Sequence, residues 1–379
     1  MLTLLVCARV PVVPSGTSVI LRRLLEHFSP AEMAIVARSV SGMVRREDPV
    51  PWPTVRIPAL PAGIRGDRYW LVLSALYGLP WALWAVFKYR PRTITAVFPD
   101  EGSLLIGYLL HRMTGIPLVA YFADLYLEER QGWQGYLARW LQPRVFRHAT
   151  RVAVLSGGLA DHFRTRYGID AAEIRHCLNE TPLTLPIRSR PDPLVIGYSG
   201  NINETRLRLL RDLTAAVGDN PRFEIRYFTP SSAAQVAAFG LMASNVRVGF
   251  AASFPKLIAE LAQCDVLYLP LEFQPGDCSY DTLATCFATK SFEYFAAARP
   301  ILVQSRDEFF ITRFYRERGC GEVVSDPGAA PLAEALERLR IDEPLRARLA
   351  ARARAAALEF DGPRIADGVR QMLQQVATA

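Results

Sequence analysis

The sequence lacks paired cysteines. Its six cysteines are scattered over 379 residues, and no two of them stand in a CxxC arrangement. Closely spaced cysteines are the usual ligands of structural zinc, and dense cysteine frameworks are typical of small secreted domains. The pattern therefore argues against both classes and favours a protein of the reducing cytosol.

Other signatures are also missing. The first residues, MLTLLVCARV, have neither the basic start nor the small-residue cleavage site of a signal peptide, so they predict a β-strand. The sequence has no internal repeat, no low-complexity tract and no helix-turn-helix, zinc-finger or RNA-binding signature. We therefore expect a cytoplasmic globular protein that does not bind nucleic acid.

Positive charge is concentrated in the first half of the chain. Residues 1–188 carry 22 Lys or Arg against 14 Asp or Glu, whereas residues 189–379 carry 22 against 23. A lopsided charge of this kind indicates an anionic partner for the first half. A phospholipid surface or a phosphate-bearing acceptor fits better than nucleic acid, for which no motif is present.

Short β-rich runs alternate with stretches of helical periodicity along both halves of the chain. The first half contains TLLVCARV, TITAVFP, PLVAYFAD and RVAVLS, and the pattern restarts at LVIGYSG after the proline-rich segment ETPLTLPIRSRPDP. Such alternation predicts parallel sheets with helices on both faces. We expect two doubly wound Rossmann-like α/β domains facing each other across a cleft, residues 1–188 and 189–361, with 362–379 packed back on the first.

One uncharged stretch, WLVLSALYGLPWALWAVF (70–87), departs from this alternation. It has basic residues on both sides, but it is shorter than the ~20 residues of a bilayer span and Pro80 interrupts it. Trp70, Trp81 and Trp84 are typical of a membrane interface. The stretch predicts an interfacial segment; a pair of buried helices broken near Pro80 and a membrane span are the alternatives.

Two strand-to-helix turns have the residues of an anion site. In VPSGTSVILRRLL, Gly16 and Thr17 stand where a strand passes into a helix, whose free N–H groups favour negative charge. In YSGNINETRLRLL, Gly200 and Asn201 close a strand, and Arg206 falls near the next helix start. A guanidinium there suits phosphate oxygens, although a surface arginine on an arginine-rich helix is the alternative.

The segment ATKSFEYFAAARPILV (288–303) places two charges at the start of an apolar helix. Lys290 and Glu293 share one helix face beside the carboxyl ends of parallel strands, where ligands of open sheets bind. The ammonium can pair with a diphosphate, and the carboxylate can accept two hydrogen bonds from a ribose diol. The alternative is a local Lys–Glu pair, but Glu293 lies one residue too far from Thr289 for a capping box.

This segment resembles the nucleotide-sugar signature K-x-x-E-[YA]-x-A-x-G-x-P-[VI] of GT-B glycosyltransferases, in particular glycosyltransferase family 4. Further segments are similar to family motifs in the same order along the chain: PSGTS, GIPLVAYFADLY, ATRVAVLSGGLADHFRTRYGI, VIGYSGNI and NVRVGFAASFPKLIAELAQCDVLYLP. The resemblance therefore covers most of the sequence.

The resemblance implies a GT-B glycosyltransferase that moves a sugar from a nucleoside-diphosphate sugar to an acceptor, with retention and without a metal or other cofactor. Arg206 and Lys290 would hold the diphosphate and stabilise it as it leaves, and Glu293 would bind the ribose. The donor-binding set is completed by Gly16, Thr17, Gly200, Asn201 and Ser291. On the acceptor side we expect Asp124 to position the reacting hydroxyl, with Asp100 and Glu101 as further candidates.

The basic first half and the aromatic stretch suggest a lipid-linked or polysaccharide-precursor acceptor of the bacterial cell envelope, reached peripherally at the inner face of the plasma membrane. Three positions depart from the family pattern: Thr285 replaces an acid, Ala298 a glycine and Ala123 a histidine. Because Thr285 casts doubt on how the sugar is held, two alternatives stay open. One is a nucleotide-sugar epimerase or hydrolase of the same fold, and the other is a non-catalytic sugar-binding descendant.

Overall fold

The computed structural model describes residues 1–11, 16–38, 50–58, 70–202, 204–274, 276 and 278–379; for 70, 71, 204 and 205 it describes the backbone only. The chain divides into two compact units. Unit 1 contains Met1–Asn179 and Asp361–Ala379, and unit 2 contains Glu180–Phe360.

Unit 1 is built on a parallel sheet of seven strands. The strands are β1 (Thr3–Cys7), β2 (Met33–Arg38), β3 (Thr54–Ile57), β4 (Thr93–Phe98), β5 (Leu118–Phe122), β6 (Arg151–Val154) and β7 (Ala172–Glu173). The helices are α1 (Gly16–Leu25), α2 (Trp70–Tyr89), α3 (Glu101–Thr114), α4 (Gly132–His148), α5 (Gly157–Tyr167) and, from the end of the chain, α14 (Gly362–Thr378). The strand order β3-β2-β1-β4-β5-β6-β7 reverses between β1 and β4.

Unit 2 is built on a parallel sheet of six strands. The strands are β8 (Leu194–Ser199), β9 (Phe223–Phe228), β10 (Val246–Gly249), β11 (Val266–Pro270), β12 (Ile301–Gln304) and β13 (Glu322–Val324). The helices are α6 (Glu204–Val217), α7 (Ala233–Ala238), α8 (Phe254–Leu261), α9 (Tyr280–Thr285), α10 (Lys290–Ala297), α11 (Phe310–Arg318), α12 (Ala329–Ile341) and α13 (Glu343–Ala357). The order β10-β9-β8-β11-β12-β13 reverses between β8 and β11.

Both sheets are covered on both faces. Every residue of β4 and of β8 is buried, as expected of parallel strands that have helices on each side. In unit 1, residues of α1 and α14 share one apolar core with the sheet, and residues of α2, α3, α4 and α5 share the other. The predicted class of two doubly wound parallel α/β units is therefore confirmed.

The proline-rich segment that looked like a linker packs on unit 2. The Leu183 amide donates to the Ala296 carbonyl at 2.9 Å, and Arg188 forms an ion pair with Asp265. The division between units therefore lies between Asn179 and Glu180, whereas the sequence placed it after residue 188. Prolines suppress regular structure, but they leave an extended segment free to hydrogen-bond to a neighbouring helix.

The stretch 70–87 forms most of one uninterrupted helix, α2, rather than two helices broken near Pro80. The proline ring lies on the exposed side, where water can satisfy the carbonyl that the missing N–H leaves free. Gly78 faces inward, since a Cβ there would lie 2.8 Å from Ile57 Cδ1. Within the part of the chain that the structure describes, no helix is long and apolar enough to cross a membrane.

Candidate functional site

At the C-terminal edge of the unit 2 sheet, the backbone of Gly200 lies close to the side chain of Lys290. Gly200 directly follows β8 with a φ of 109°, a conformation that L-residues rarely adopt. A Cβ at this position would lie 2.6 Å from Lys290 Cε and 3.0 Å from Lys290 Nζ. Glycine is therefore required here twice, by its backbone angle and by the lysine that passes beside it.

Lys290 begins α10 and has a buried side chain that is held by Tyr198. The Lys290 Nζ donates to the Tyr198 hydroxyl at 2.9 Å and lies 4.4 Å from the centre of the tyrosine ring. The Tyr198 hydroxyl in turn donates to the Asn201 carbonyl at 2.9 Å. The ammonium is thus fixed beside the turn that joins β8 to α6.

The electrostatics of this edge favour an anionic ligand. Burial, and then repulsion from Arg206, lower the pKa of Lys290 well below its ordinary value near 10.5, against the attraction of Glu293. Arg206 lies in the first turn of α6 and is half-exposed. Two cations within electrostatic reach of each other repel until a multivalent anion lies between them, and a diphosphate is such an anion.

Glu293 lies on the same edge, on a rigid polar frame. The Ser199 hydroxyl donates to Glu293 Oε2 at 2.5 Å, and the Ser199 amide donates to the Tyr294 hydroxyl at 3.2 Å. The Tyr294 hydroxyl donates to the Tyr268 carbonyl at 2.9 Å, which ties α10 to β11. The half-buried carboxylate is therefore oriented before any ligand binds.

The structure brings together most of the predicted donor-binding residues of unit 2. Gly200, Asn201, Arg206, Lys290 and Glu293 lie around the β8 turn and the α10 start. The sequence did not single out Tyr198, which contacts Lys290, or Ser199, which donates to Glu293, although both directly precede Gly200.

Ser291 and Thr285 face the protein interior. Ser291 is completely buried and its hydroxyl lies near that of Tyr315. Thr285 ends α9, and its hydroxyl donates to the Asp281 carbonyl at 2.7 Å. Where the family pattern has an acid, this chain therefore has a buried hydroxyl bonded to its own helix.

In unit 1, the acidic candidates Asp100 and Glu101 are engaged with arginines that the sequence did not single out. Asp100 caps α3 by accepting from the Ser103 amide at 2.8 Å and also pairs with Arg38. The Glu101 carboxylate pairs with Arg130. These contacts give both acids a structural role at the carboxyl end of β4.

Asp124 follows β5 on the same edge and has a perturbed carboxyl group. Desolvation, and then repulsion from Glu129, raise its pKa to about 6, against the attraction of Arg130. The residue also keeps an exposed surface, so water reaching the carboxylate limits the desolvation. A carboxyl with this pKa can gain or lose a proton near neutral pH, which is the property required of an acid–base group.

The remaining predicted residues lie in helices of unit 1. Gly16 and Thr17 form the first turn of α1, with Gly16 exposed; the loop before them, 12–15, lies outside the described residues. Trp81 and Trp84 are 41% and 49% exposed on α2, and the side chain of Trp70 lies outside the described residues. Among the residues that the structure describes, no group of three His, Cys, Asp or Glu side chains is placed to hold a metal ion.

Two doubly wound parallel α/β units in one chain are the architecture of the GT-B fold. Residues 15–179 match the family model described as a glycosyl transferase 4-like domain. The chain has no significant match among curated protein sequences.

Solved structures share this fold over the whole chain. Sucrose-phosphate synthase from Thermosynechococcus elongatus has 16% sequence identity and a TM-score of 0.72, with 99% of this chain and 98% of that chain covered. HepE from Anabaena, solved in complex with UDP, has 15% identity and a TM-score of 0.74, with 99% and 100% covered. The UDP-forming α,α-trehalose-phosphate synthase from Burkholderia vietnamiensis has 12% identity and a TM-score of 0.65, with 99% and 100% covered.

The chain therefore has the fold of these structures, the GT-B fold, and its residues 15–179 are similar to glycosyl transferase 4-like domains. The family-model match agrees, over residues 15–179, with the resemblance to glycosyltransferase family 4 that the motifs indicated.

Proposed function

We propose that the protein transfers a sugar, with retention and without a metal, from a nucleoside-diphosphate sugar to a lipid-linked or polysaccharide-precursor glycan. The observation that carries the proposal is the convergence of Arg206, Lys290 and Glu293 at one edge of the unit 2 sheet. The UDP complex of HepE and the UDP-forming activity named for the trehalose-phosphate synthase support a nucleoside diphosphate as the leaving group.

The donor side would act chiefly by electrostatics. Negative charge builds on the diphosphate as its bond to the sugar breaks, and Arg206 and Lys290 are already positioned to receive it. Fixed cations in a partly dehydrated site stabilise such charge by a few kcal/mol each, without reorganising during the reaction. Glu293, oriented by Ser199, would accept the ribose hydroxyls and so set the register of the nucleotide.

The acceptor side would depend on Asp124. Its carboxylate, which follows the carboxyl end of β5, can accept a hydrogen bond from the acceptor hydroxyl and take up its proton. Asp100 and Glu101 would support it indirectly, since Arg38 and Arg130 already occupy their carboxylates.

Donor binding tests the proposal most directly. A thermal-shift screen with a panel of nucleoside diphosphates and their sugars should raise the melting temperature with at least one of them, because a ligand of the folded state stabilises it. Lys290→Ala, Arg206→Ala and Glu293→Ala should each weaken that ligand tenfold or more in calorimetry. Lys256→Ala, an exposed lysine of α8, is the matched control and should bind normally.

Product analysis separates the candidate reactions. Transfer to an acceptor glycan in the presence of a metal chelator, with the anomeric configuration kept in the NMR spectrum, is the expected result. Release of free sugar or of an epimerised nucleotide sugar would instead favour the hydrolase or epimerase reading. Wild-type affinity in all three site variants would favour a non-catalytic descendant.

We further propose that unit 1 contacts an anionic membrane through α2. A continuous apolar stripe faces solvent on this helix, hereafter the α2 stripe; it consists of Leu73, Leu76, Tyr77, Trp81, Trp84 and Phe87. Neither α2 nor α4 contains an acidic residue. The cations Lys88, Arg90 and Arg92 follow the stripe, and Lys88 Nζ lies 4.5 Å from the centre of the Trp84 ring.

Exposed aromatic residues also occur on α4, and their presence on a second helix favours a planar partner over a single bound helix. On α4, Tyr136 and Trp140 are 72% and 43% exposed, and Arg144 lies over the Trp140 ring at 4.5 Å. Trp140 also contacts Tyr108 of α3, which packs on α2. Aromatic rings with adjacent cations match the boundary between acyl chains and anionic headgroups. A lipid-linked acceptor would then be reached from the cytoplasmic face.

Vesicle binding tests the membrane contact. Because all six tryptophans lie in unit 1, their fluorescence should shift to the blue on anionic phosphatidylglycerol vesicles and much less on phosphatidylcholine. The double variant Trp81→Ala, Trp84→Ala should bind the anionic vesicles at least tenfold more weakly in flotation. Leu358→Ala, which removes an exposed apolar side chain from unit 2, serves as the control. Unchanged flotation of the double variant would remove the proposal.

A further inference from the structure

We infer that Tyr198 is a positioning residue of the donor site, which holds the ammonium of Lys290 where the diphosphate binds. The inference rests on the proposed function, since it assigns a role within the same site. Tyr198 itself would not touch the donor; it would act through the lysine.

The geometry gives Tyr198 two simultaneous interactions with the lysine. Its hydroxyl oxygen accepts a hydrogen bond from Lys290 Nζ at 2.9 Å, while its ring lies 4.4 Å from the same nitrogen. A cation is attracted by the electron-rich face of an aromatic ring within about 6 Å, and more strongly when it is desolvated. Lys290 is buried, so both interactions act in a medium of low polarity.

These interactions oppose forces that would displace or neutralise the lysine. Arg206, from α6, repels the ammonium, and burial disfavours its charged form; Glu293, on α10 itself, attracts it. Tyr198, from β8, is the group that contacts the nitrogen directly from the strand side. An acceptor and a ring at this point favour the protonated lysine and restrict its position.

Tyr198 is itself held in place, as a positioning residue must be. Its side chain is completely buried in β8, and its hydroxyl donates to the Asn201 carbonyl at 2.9 Å. Its ring packs edge-on against Tyr227 of β9, with centres 5.9 Å apart and planes 78° apart. The Asn201 carbonyl therefore orients the Tyr198 hydroxyl, and the hydroxyl in turn orients the Lys290 ammonium.

The test compares Tyr198→Phe with Tyr227→Phe. Both tyrosines are fully buried in adjacent strands, and the Tyr227 hydroxyl lies 3.3 Å from Thr214 Oγ1 rather than near the lysine. Calorimetric affinity for UDP, or for whichever nucleoside diphosphate gives the largest thermal shift, is measured from pH 6 to pH 9 with each variant. Tyr198→Phe keeps the ring but removes the acceptor, so the pKa of Lys290 should fall further.

Because the protonated lysine binds the diphosphate, affinity is present below its pKa and lost as pH rises through it. Relative to wild type, Tyr198→Phe should therefore show an affinity deficit that is smallest at pH 6 and grows with pH to about tenfold. In turnover assays it should raise KM for the donor while kcat changes less. Tyr227→Phe should follow the wild-type pH curve even if both variants melt at lower temperature.

Two results would overturn the inference separately from the proposed function. If Lys290→Ala loses the nucleotide while Tyr198→Phe follows the wild-type curve at every pH, Tyr198 has only a packing role. If Tyr198→Phe weakens binding equally at all pH values, the loss is structural and not exerted through the lysine. If neither wild type nor any variant binds a nucleoside diphosphate, the proposed function itself fails.

Discussion

At the scale of single residues, the C-terminal edge of the unit 2 sheet is held together by contacts between residues that are far apart in sequence. Lys290 of α10 contacts Tyr198 of β8 and passes beside Gly200, and Glu293 accepts a hydrogen bond from Ser199. The signature around Lys290 indicated candidate donor-binding residues but not the residues that orient them. Side-chain partners of this kind are decided by tertiary packing, which sequence spacing does not encode.

Ser291 does not share the helix face of Lys290 and Glu293, for a reason that helix geometry explains. Successive helical residues point about 100° apart, so Ser291 cannot share the face that Lys290 and Glu293 share. The structure accordingly buries Ser291 beside Tyr315, inside unit 2. Its role as a donor ligand through the side chain remains a prediction that no contact supports.

Asp124 gives a residue-scale prediction for the pH profile. Its carboxyl has a pKa raised to about 6, and in the proposed mechanism the ionised form takes up the proton of the acceptor hydroxyl. Activity should therefore rise with pH through about 6 and should be about tenfold lower at pH 5 than at pH 7. Asp124→Asn should lose about a hundredfold in kcat/KM, and its residual rate should be flat over this range.

The measurement is kcat/KM for transfer between pH 4.5 and pH 8, with donor binding followed in parallel by calorimetry. The control is Asp161→Asn, which changes an exposed acid of α5. This variant should keep the wild-type rise of kcat/KM through about pH 6. If kcat/KM of the Asp124→Asn variant still rose with pH through about 6, the titrating group would be a residue other than Asp124.

At the scale of elements, α10 ends in an unusual way. Ala298 adopts the left-handed conformation, with φ 51° and ψ 44°, and its amide donates to the Tyr294 carbonyl at 3.0 Å. Helices commonly end in this conformation on glycine, because a Cβ makes it unfavourable. The family glycine at this position therefore has a conformational reason, and this chain tolerates alanine at a cost.

Ala298→Gly should therefore stabilise unit 2 by about 1 kcal/mol. Glycine relieves the strain of the left-handed conformation, and part of this gain is lost because glycine makes the unfolded chain more flexible. The matched control is Ala297→Gly, which lies within α10 and should destabilise by about as much. Because no tryptophan lies in unit 2, its unfolding in urea is followed by circular dichroism. The prediction fails if both variants shift the midpoint in the same direction.

Element order was the most predictable part of the structure. Runs such as TITAVFP and LVIGYSG are uniformly apolar, as strands buried on both faces must be, and they became β4 and β8. The helix α2 was harder to predict. A proline normally ends a helix, and only the exposed position of Pro80 explains why this one continues.

At the scale of the whole molecule, the structure shows which helices of unit 1 carry the excess positive charge of the first half. Cations of α2, α3 and α4 occur on helices whose exposed faces carry few acids, whereas Asp100 and Glu101 are neutralised by Arg38 and Arg130 at the sheet edge. The sequence predicted the imbalance but not this separation, which depends on long-range ion pairs. The acceptor and its membrane stay proposals for the experiments described above.

The last helix belongs to unit 1 although unit 2 precedes it in the chain. Leu178 and Asp361 form a parallel bridge, and Gly362 donates its amide to the Leu178 carbonyl at 3.2 Å. The chain therefore leaves unit 1 and re-enters it at adjacent residues. On α14, Val369 and Leu373 fill the core against α1.

This arrangement makes unit 2 a removable insert. A chain in which residue 179 is joined to 361 by a short Gly-Ser linker should fold cooperatively, as judged by tryptophan fluorescence, and should bind anionic vesicles but no nucleotide. Residues 1–179 alone should lose several kcal/mol, because each buried aliphatic side chain of α14 contributes about 1.5–3 kcal/mol. Equal stability of the two chains would show that α14 is dispensable. If the joined chain folds, unit 1 needs none of the residues of unit 2, Glu180–Phe360, to reach its own structure.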